Sequence, residues 1–207
     1  MALVVATMAA CAPTTSTAAT PRFDAPYAGP RETVALILDA RRAWQRDTER
    51  AMADAALYEL VRHPYASRRF DVVERERLDT ILDEIDFNRS GAVDPNTAVR
   101  AGRILGAQSM VIMTVTGVTV SRYDLGVLRV GAGGYDVRGT LQMRWIDVET
   151  GVIVAVERKE MQQVVPGSFR VPGVRFSGSP QDAALLTAVN DGARDLIDDM
   201  MRAVALR

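Results

Sequence analysis

The stretch from Tyr135 to Asp147 alternates apolar and polar residues with a clean period of two, and no other segment constrains the fold as strongly. Successive side chains of a β-strand point to opposite faces of the sheet, so the pattern predicts a strand with one buried and one solvated face. The turn sequence Asp147-Val-Glu-Thr-Gly151 follows, and an apolar run from Val152 to Val164 comes after it. Together with the β-branched run from Met110 to Val120, these segments predict an antiparallel meander.

Strands and helices alternate before the meander. Short apolar runs at Val34–Leu38 and Phe70–Val73 predict buried strands. Apolar residues at helical spacing predict a helix over Thr48–Val61, a second that includes Leu78 to Ile85, and a third from Pro95 to Leu105. The predicted inner face of the third helix comprises Ala98, Ile104 and Leu105.

Helix-end signals support these boundaries. Gly106 is expected to end the third helix, because glycine is favoured just past a helix C-terminus. The sequence Ser179-Pro-Gln-Asp182 has the spacing of a capping box, and apolar residues at helical spacing from Leu185 to Val204 predict a long final amphipathic helix.

Composition is consistent with one folded domain. The chain has 207 residues, of which 48% are hydrophobic and 25% charged, and this suffices for one hydrophobic core. We predict an α/β (α+β) domain over residues 34–207, with a mixed sheet covered by helices, a C-terminal antiparallel meander and a long C-terminal helix. The formal net charge of -1 leaves no basic excess for a phosphate backbone, so no nucleic-acid partner is expected.

The only cysteine, Cys11, follows an uncharged apolar run that ends in small residues. Such a run is typical of an export signal, and one cysteine cannot close an intramolecular disulfide. We predict a signal peptide over residues 1–10, lipidation of Cys11, and a flexible tether over residues 11–33, which are rich in Thr, Ala, Ser and Pro. Two alternatives stay open: a frayed terminus with an incidental cysteine, and a start codon upstream of Met1, because no Lys or Arg precedes the run.

The chain offers few residues for catalysis or for holding a cofactor. His63 is the only histidine, and it stands beside Pro64 at the end of the first predicted helix, where a surface or C-capping role is the default. The glycines at 131, 133 and 134 lack the Lys and the Ser or Thr of a phosphate-binding loop. We expect no enzymatic activity, no metal and no cofactor.

Four motifs, in order, resemble the CsgG family of outer-membrane lipoproteins of curli secretion. They are Arg69-Phe-Asp-Val-Val-Glu-Arg-Glu-Arg-Leu78, Gly91-Ala-Val-Asp-Pro95, Ala101-Gly-Arg-Ile-Leu-Gly-Ala107 and Asp147-Val-Glu-Thr-Gly151. The resemblance covers residues 34–207, and Cys11 matches the lipidated cysteine of the family. It implies a periplasmic domain that is anchored by lipid to the outer membrane and assembles as a homo-oligomeric ring, in which each subunit extends two β-hairpins into the membrane.

A membrane-spanning strand needs about 9 to 11 residues, and one hairpin of this chain has about that length. The candidate membrane hairpin covers residues 121–144 and is expected to bend at the glycine cluster Gly131–Gly134. Its candidate membrane residues are Tyr123, Leu125, Val127, Tyr135 and Val137. A soluble ribbon, whose apolar face packs on the protein's own helices or on a neighbour, stays open as the alternative.

Three further aromatic residues are candidates for pore or partner contacts. Phe169 and Phe176 flank a Pro-Gly turn whose outgoing arm is too short to span a membrane, so a surface loop that contacts a headgroup layer or a partner is expected. Trp44 lies in the short basic segment that corresponds to the pore constriction of the curli transporter. A solvated basic loop, with Trp44 folded onto the adjacent helix, stays open as its alternative.

Two hypotheses of function follow from the resemblance. In the first, the protein takes part in the secretion or assembly of extracellular fibres or adhesins, as an oligomeric channel or channel-associated subunit that meets a secreted fibre subunit. In the second, it is a periplasmic lipoprotein without membrane-spanning strands that binds and regulates an envelope assembly protein.

Overall fold

A five-stranded mixed sheet forms the centre of the molecule. The computed structural model describes residues 23, 27–39, 44–74, 76, 78, 80–81, 95–124, 133–166 and 178–205. The strands are β1 (Glu32–Asp39), β2 (Phe70–Val72), β3 (Ser109–Asp124), β4 (Gly133–Asp147) and β5 (Ile153–Pro166). Their order is β2-β1-β3-β4-β5. The first three strands run parallel to one another, whereas β3, β4 and β5 form the predicted antiparallel meander.

Helices cover both faces of the sheet. In the described part of the chain they are α1 (Arg46–Arg62), α2 (Ala66–Arg69), α3 (Pro95–Leu105) and α4 (Pro180–Ala205). Helical backbone also occurs at Glu76, Leu78, Thr80 and Ile81. None of the helices that the structure describes is both long and apolar enough to cross a membrane.

The sheet separates two hydrophobic cores. The larger core joins α1 and α4 to one face and includes Leu141 and Trp145, which are almost fully buried. The smaller core lies under α3 on the other face and includes Met110 and Ile146. Met110 and Val111 are neighbours in β3 but belong to different cores, as expected for a strand that is buried on both faces. The predicted α+β fold, with its long C-terminal helix, is confirmed.

Most helix ends match their sequence signals. Ser179 and Asp182 form the predicted capping box, since the Asp182 amide donates to Ser179 Oγ at 3.2 Å and the Ser179 amide donates to the Asp182 carboxylate at 3.3 Å. Gly106 follows α3 with a φ of 69°, a conformation that favours glycine. Ile104, in contrast, is 49% exposed, so its predicted place on the inner face is wrong. Leu105 is buried there.

The predicted tether extends too far along the chain. β1 begins at Glu32, which pairs with Phe70 of β2, and Phe23 packs against the larger core. Phe23 and Tyr27 are the only aromatic residues before Trp44, and this was the signal that the segment is packed. Large aromatic side chains are mostly buried in folded proteins, whereas a solvated tether has little use for them.

Candidate interaction surfaces

Strands β3 and β4 form the predicted hairpin, but two of the glycines predicted for its bend belong to β4. Asp124 pairs with Gly133, and Tyr123 pairs with Gly134. The connection between the strands therefore comprises residues 125–132, which lie outside the described residues. The predicted bend at Gly131–Gly134 is wrong for Gly133 and Gly134, which already belong to β4, whereas Gly131 and Ala132 lie outside the described residues.

The register of this hairpin places two candidate membrane residues on opposite faces. Directly paired residues of an antiparallel ladder share a face, so Tyr123 lies on the face of Gly134, and Tyr135 lies on the face of Arg122. Neighbours along a strand alternate between faces. Tyr123 and Tyr135 therefore point in opposite directions, and they do not form one apolar surface.

Val137 faces the protein's own core and not its surroundings. It is 0% exposed and belongs to the larger core, as does Leu141, the next apolar residue along β4 on that face. Tyr135 is partly buried against the same core. These contacts correspond to the alternative in which the ribbon packs on the protein's own helices. Leu125 and Val127 lie outside the described residues.

Gly134 allows a close approach between strands instead of a turn. A Cβ atom at this position would lie 2.5 Å from the Val165 carbonyl oxygen and 2.6 Å from Tyr123 Oη. Tyr123 therefore lies across the glycine on the ribbon face that is directed away from α4. Any larger residue at position 134 would displace this ring or the backbone of β5.

Strand β5 ends the sheet, and no strand in the described ranges pairs with its outer edge. Its side towards α4 is tied down: Gln163 Nε2 donates to Asp191 at 2.8 Å, and Lys159 forms an ion pair with Asp195. The opposite face of β5 is exposed at every second residue, namely Val156, Arg158, Glu160, Gln162 and Val164. An exposed edge with unpaired backbone groups is a template on which another strand can pair.

Trp44 is partly buried and packs against the larger core. This contact corresponds to the alternative in which the indole folds onto the protein. Residues 40–43 of the same segment, together with Phe169, Phe176 and Cys11, lie outside the described residues, so the hypotheses that concern them stay predictions.

The end of α1, helix α2 and the residues before β1 form an aromatic corner that the sequence interpretation missed. The Phe23 ring meets the His63 ring edge-on, with centroids 4.8 Å apart, and lies 5.8 Å from the Tyr65 ring. The Arg69 guanidinium lies over the Tyr27 ring at 5.2 Å, and Arg69 Nη1 donates to Tyr65 Oη at 2.6 Å. Cation–π and edge-to-face contacts of this kind add to the gain from burial.

Arg31 fixes the same corner through hydrogen bonds to the backbone. Its Nη1 donates to the carbonyl oxygens of Ser67 at 3.0 Å and Arg68 at 3.1 Å, and its Nη2 donates to the Phe70 carbonyl at 2.6 Å. Its Nε donates to the Asp71 carboxylate at 2.7 Å. The Ser67 and Arg68 carbonyls belong to the last turn of α2, where backbone carbonyls have no hydrogen-bond partner within the helix. The Arg31 guanidinium supplies a donor to both of them.

His63 caps α1, as predicted, but it is not a surface residue, since its side chain is only 9% exposed. Its Nδ1 accepts the backbone N–H groups of Tyr65 at 3.2 Å and Ala66 at 3.4 Å, and its Nε2 lies 3.3 Å from Asp198 Oδ1. Burial lowers the pKa of His63 below its ordinary value of 6.5, although the hydrogen bond to Asp198 acts in the opposite direction. The packing of the corner therefore favours the neutral imidazole.

An open depression of about 720 Å³ lies where α3 meets β3, bordered by Glu32, Arg103 and Asp147. Its charged groups serve internal bonds: Arg103 Nη2 donates to the Glu149 carbonyl at 3.3 Å, and Asp147 Oδ1 accepts both the amide and the hydroxyl of Thr150 at 2.7 Å. Within the described ranges, no group of three His, Cys, Asp or Glu residues could hold a metal ion. The exposed surfaces of the sheet and the aromatic corner are therefore the candidate sites.

Comparison with known proteins identifies one family. The family model described as "Curli production assembly/transport component CsgG" matches residues 47–206, a span that begins at the second residue of α1 and includes the remaining helices and strands β2 to β5. Among curated proteins, no sequence matches this chain.

Several solved structures are similar to this chain. The hypothetical protein CT253 from Chlamydia trachomatis has 9% identity and a TM-score of 0.49, over 86% of this chain and 100% of that chain. Lipoprotein GNA1162 from Neisseria meningitidis has 13% identity and a TM-score of 0.44, over 80% and 99%. The PelC dodecamer from Paraburkholderia phytofirmans has 13% identity and a TM-score of 0.41, over 86% and 89%. All three TM-scores lie below 0.5, and the family match alone carries the assignment.

Proposed function

The chain belongs to the CsgG family, and from this premise we propose that it is an outer-membrane lipoprotein, anchored through Cys11 at the periplasmic face. In this proposal the domain forms homo-oligomers that take part in the secretion or assembly of an extracellular fibre or adhesin, as a channel or channel-associated subunit. It binds and assembles, and it performs no catalysis. The description of the family as a production, assembly and transport component supports the role, and the apolar run before Cys11 supports the location.

The edge of β5, with which no described strand pairs, is the observation on which the proposed oligomer rests. The strand is 14 residues long, and isolated edges of this length are usually covered or paired in proteins. Val156 and Val164 are 46% and 60% exposed on the outer face of β5, which is the face directed away from α4. A second copy of the chain could pair along this edge and cover both valines, because strand addition combines backbone hydrogen bonds with contacts at alternate side chains.

A second candidate function is supported by the register of the β3–β4 hairpin. A membrane-spanning hairpin presents apolar residues on one common face, whereas Tyr123 and Tyr135 point to opposite faces and Val137 is buried. This arrangement favours a lipoprotein that lacks membrane-spanning strands and instead binds and regulates an envelope assembly protein. Lipid alone would then hold it at the membrane.

Fractionation of an exported Cys11→Ser variant tests the proposal and separates the two candidates. The wild-type protein should carry lipid on Cys11 by mass spectrometry and should sediment with outer membranes. If the subunits form a channel, the variant stays in the membrane fraction as detergent-resistant oligomers, because protein strands retain it. If the second candidate applies, the variant is recovered from the soluble periplasm. A wild-type protein without lipid on Cys11 would contradict both.

Negative-stain images of the detergent-extracted wild-type protein provide the independent measurement. Rings with a central pore are expected for the channel subunit, and particles of one or two domains are expected for the partner-binding lipoprotein. If the Cys11→Ser variant is soluble and still forms rings, the protein assembles into an oligomer that does not depend on the membrane.

A further inference from the structure

The residues before β1 make more specific contacts than a passive linker needs. We define the N-terminal strap as Phe23 and residues 27–31. Phe23 contacts two aromatic rings of the corner, Tyr27 lies against the Arg69 guanidinium, and Arg31 makes four hydrogen bonds to α2 and β2. The Tyr27 hydroxyl also donates to the Pro30 carbonyl at 3.0 Å, which closes a local turn within the strap.

These contacts continue into the hydrophobic core. Tyr65 meets Phe70 with ring centroids 6.3 Å apart, and Phe70 meets Trp145 at 5.0 Å. Phe70 and Trp145 are each 2% exposed, and Trp145 lies near the end of β4. A row of four rings thus connects Phe23 to the core. The strap is held by the same packing that holds the domain together, because aromatic pairs at these distances attract one another.

We propose that the N-terminal strap is a positioning element, which fixes the exit of the chain at the α1–α2 corner and so sets how far the domain can lie from the membrane. This inference rests on the lipid anchor at Cys11 proposed above. With the strap docked, the linker between the lipid and the domain is residues 12–22, whose fully extended length is about 40 Å. With the strap released, it is residues 12–31, whose extended length is about 70 Å.

The strap also decides which part of the sheet lies nearest to the anchor. The corner adjoins β2, the strand at one edge of the sheet, whereas β5 forms the opposite edge. A short linker that leaves from the β2 side keeps the edge of β5 on the far side of the domain from the linker. The partner-binding edge then stays accessible while the domain is held close to the membrane.

Limited proteolysis with chymotrypsin tests the docking, because this protease cleaves after Phe23 and Tyr27 only when the strap opens. In the full-length protein in detergent, cleavage after Tyr27 should be slow, and Arg31→Ala should accelerate it about tenfold or more through the loss of charge-assisted hydrogen bonds. Arg31→Lys, which cannot reproduce the guanidinium fork, should show a smaller acceleration. Arg100→Ala, at an exposed arginine of α3, is the charge-matched control and should cleave like the wild type.

Cleavage after the core residue Phe70 reports global unfolding and should stay slow in every variant. If Arg31→Ala unfolds the domain, the cleavage rate after Tyr27 in Arg31→Lys is compared with the wild-type rate instead. Equal cleavage rates after Tyr27 in wild type and both Arg31 variants would overturn the proposal. Wild-type cleavage as fast as that of a synthetic peptide with the sequence of residues 20–31 would overturn it as well.

The distance to the membrane is measured on the lipidated protein in phospholipid vesicles that contain a dansyl lipid. Energy transfer from Trp44 and Trp145 to dansyl should fall in Arg31→Ala relative to wild type and to Arg100→Ala, because the linker lengthens. Unchanged transfer despite faster cleavage would overturn the positioning role. Absence of lipid on Cys11 would instead overturn the proposed function, and the proteolysis result would still decide whether the strap is docked.

Discussion

A single histidine connects the end of α1 to α2 and α4. The ring of His63 accepts two backbone N–H groups at Nδ1, so its proton lies on Nε2, where it can be donated to Asp198. A proton on Nδ1 would point at the N–H groups of Tyr65 and Ala66, which already donate to that nitrogen. Arg202, which pairs with the same aspartate, adds a repulsive charge. The corner is therefore built for the neutral form of the ring.

The stability of the protein should consequently depend on pH through His63. Because burial lowers the pKa of His63 in the folded state, the unfolded chain binds this proton first as the pH falls below 6.5. The free energy of unfolding should therefore decrease with falling pH, with a slope of at most about 1.4 kcal/mol per pH unit from this group. Urea denaturation from about pH 7.5 to about pH 5 measures it.

His63→Asn is the matched control for that measurement. The Asn side-chain oxygen can replace Nδ1 as the acceptor, but it does not titrate. The variant should be less stable by a constant amount and should lack the additional loss at acidic pH that the wild type shows. Parallel curves of stability against pH for the two proteins would contradict the role of His63.

The turn between β4 and β5 provides a second prediction for a single residue. Hydrogen bonds from the Thr150 side chain and backbone hold the pKa of Asp147 below its ordinary value of 3.8. Thr150→Val removes the hydroxyl donor and keeps the backbone donor, so the pKa of Asp147 should rise towards 3.8. An NMR titration of the Asp147 carboxyl carbon measures this rise, and Glu149→Gln should leave the midpoint unchanged.

Among the secondary-structure elements, local signals were predictable from the sequence and long-range relations were not. The alternation in β4, the capping box at Ser179 and the glycine after α3 depend on neighbours within a few residues, so each could be recognised. The opposite orientation of Tyr123 and Tyr135 depends on the register between two strands. A shift of one residue in that register moves every side chain of a strand to the opposite face of the sheet, and the composition of each arm does not reveal the register.

Close contacts between elements were likewise invisible in the sequence. The N-terminal strap docks on α2 and β2 through partners that lie about forty residues further along the chain, such as Asp71 with Arg31. Gly192, in the middle of a predicted helix, gave no sign of why glycine is present, since glycine weakens a helix interior. In the structure a Cβ atom at Gly192 would lie 2.5 Å from Leu141 Cδ1. The glycine therefore lets α4 pack closely on β4.

Gly192→Ala tests this helix–sheet contact. The gain in helix propensity is about 1 kcal/mol, but overpacking against Leu141 costs about 1 to 3 kcal/mol, so we expect a net loss in the free energy of unfolding. Leu141→Val makes room for the new methyl group. The double variant should lose at least about 0.5 kcal/mol less than the sum of the single variants in urea denaturation. Net stabilisation by Gly192→Ala alone would contradict the close contact.

The whole molecule divides into two unequal halves of one sheet. The parallel half, β2-β1-β3, has helices on both faces, whereas in the described part of the chain the antiparallel half extends past α3 and is covered by α4 on one face only. Parallel strands need cover on both faces, and antiparallel strands can leave one face to solvent or to a partner. The longer of the two edge strands, β5, and its exposed residues Val156 and Val164 thus lie at the end of the sheet opposite the N-terminal strap.

Oligomerisation through that end should be sensitive to charge on the outer face of β5. Val156→Lys combined with Val164→Lys places two cations where a second copy of the chain would pack, and unpaired charges are disfavoured in the centre of an interface. We expect the oligomer of the detergent-extracted wild type to dissociate in this double variant, as measured by light scattering after size-exclusion chromatography. Val152→Lys, at the exposed turn before β5, is the matched control and should keep the wild-type mass. Circular dichroism should show the same fold in all three proteins, because every substituted side chain is exposed. An unchanged mass in the double variant would contradict pairing at β5.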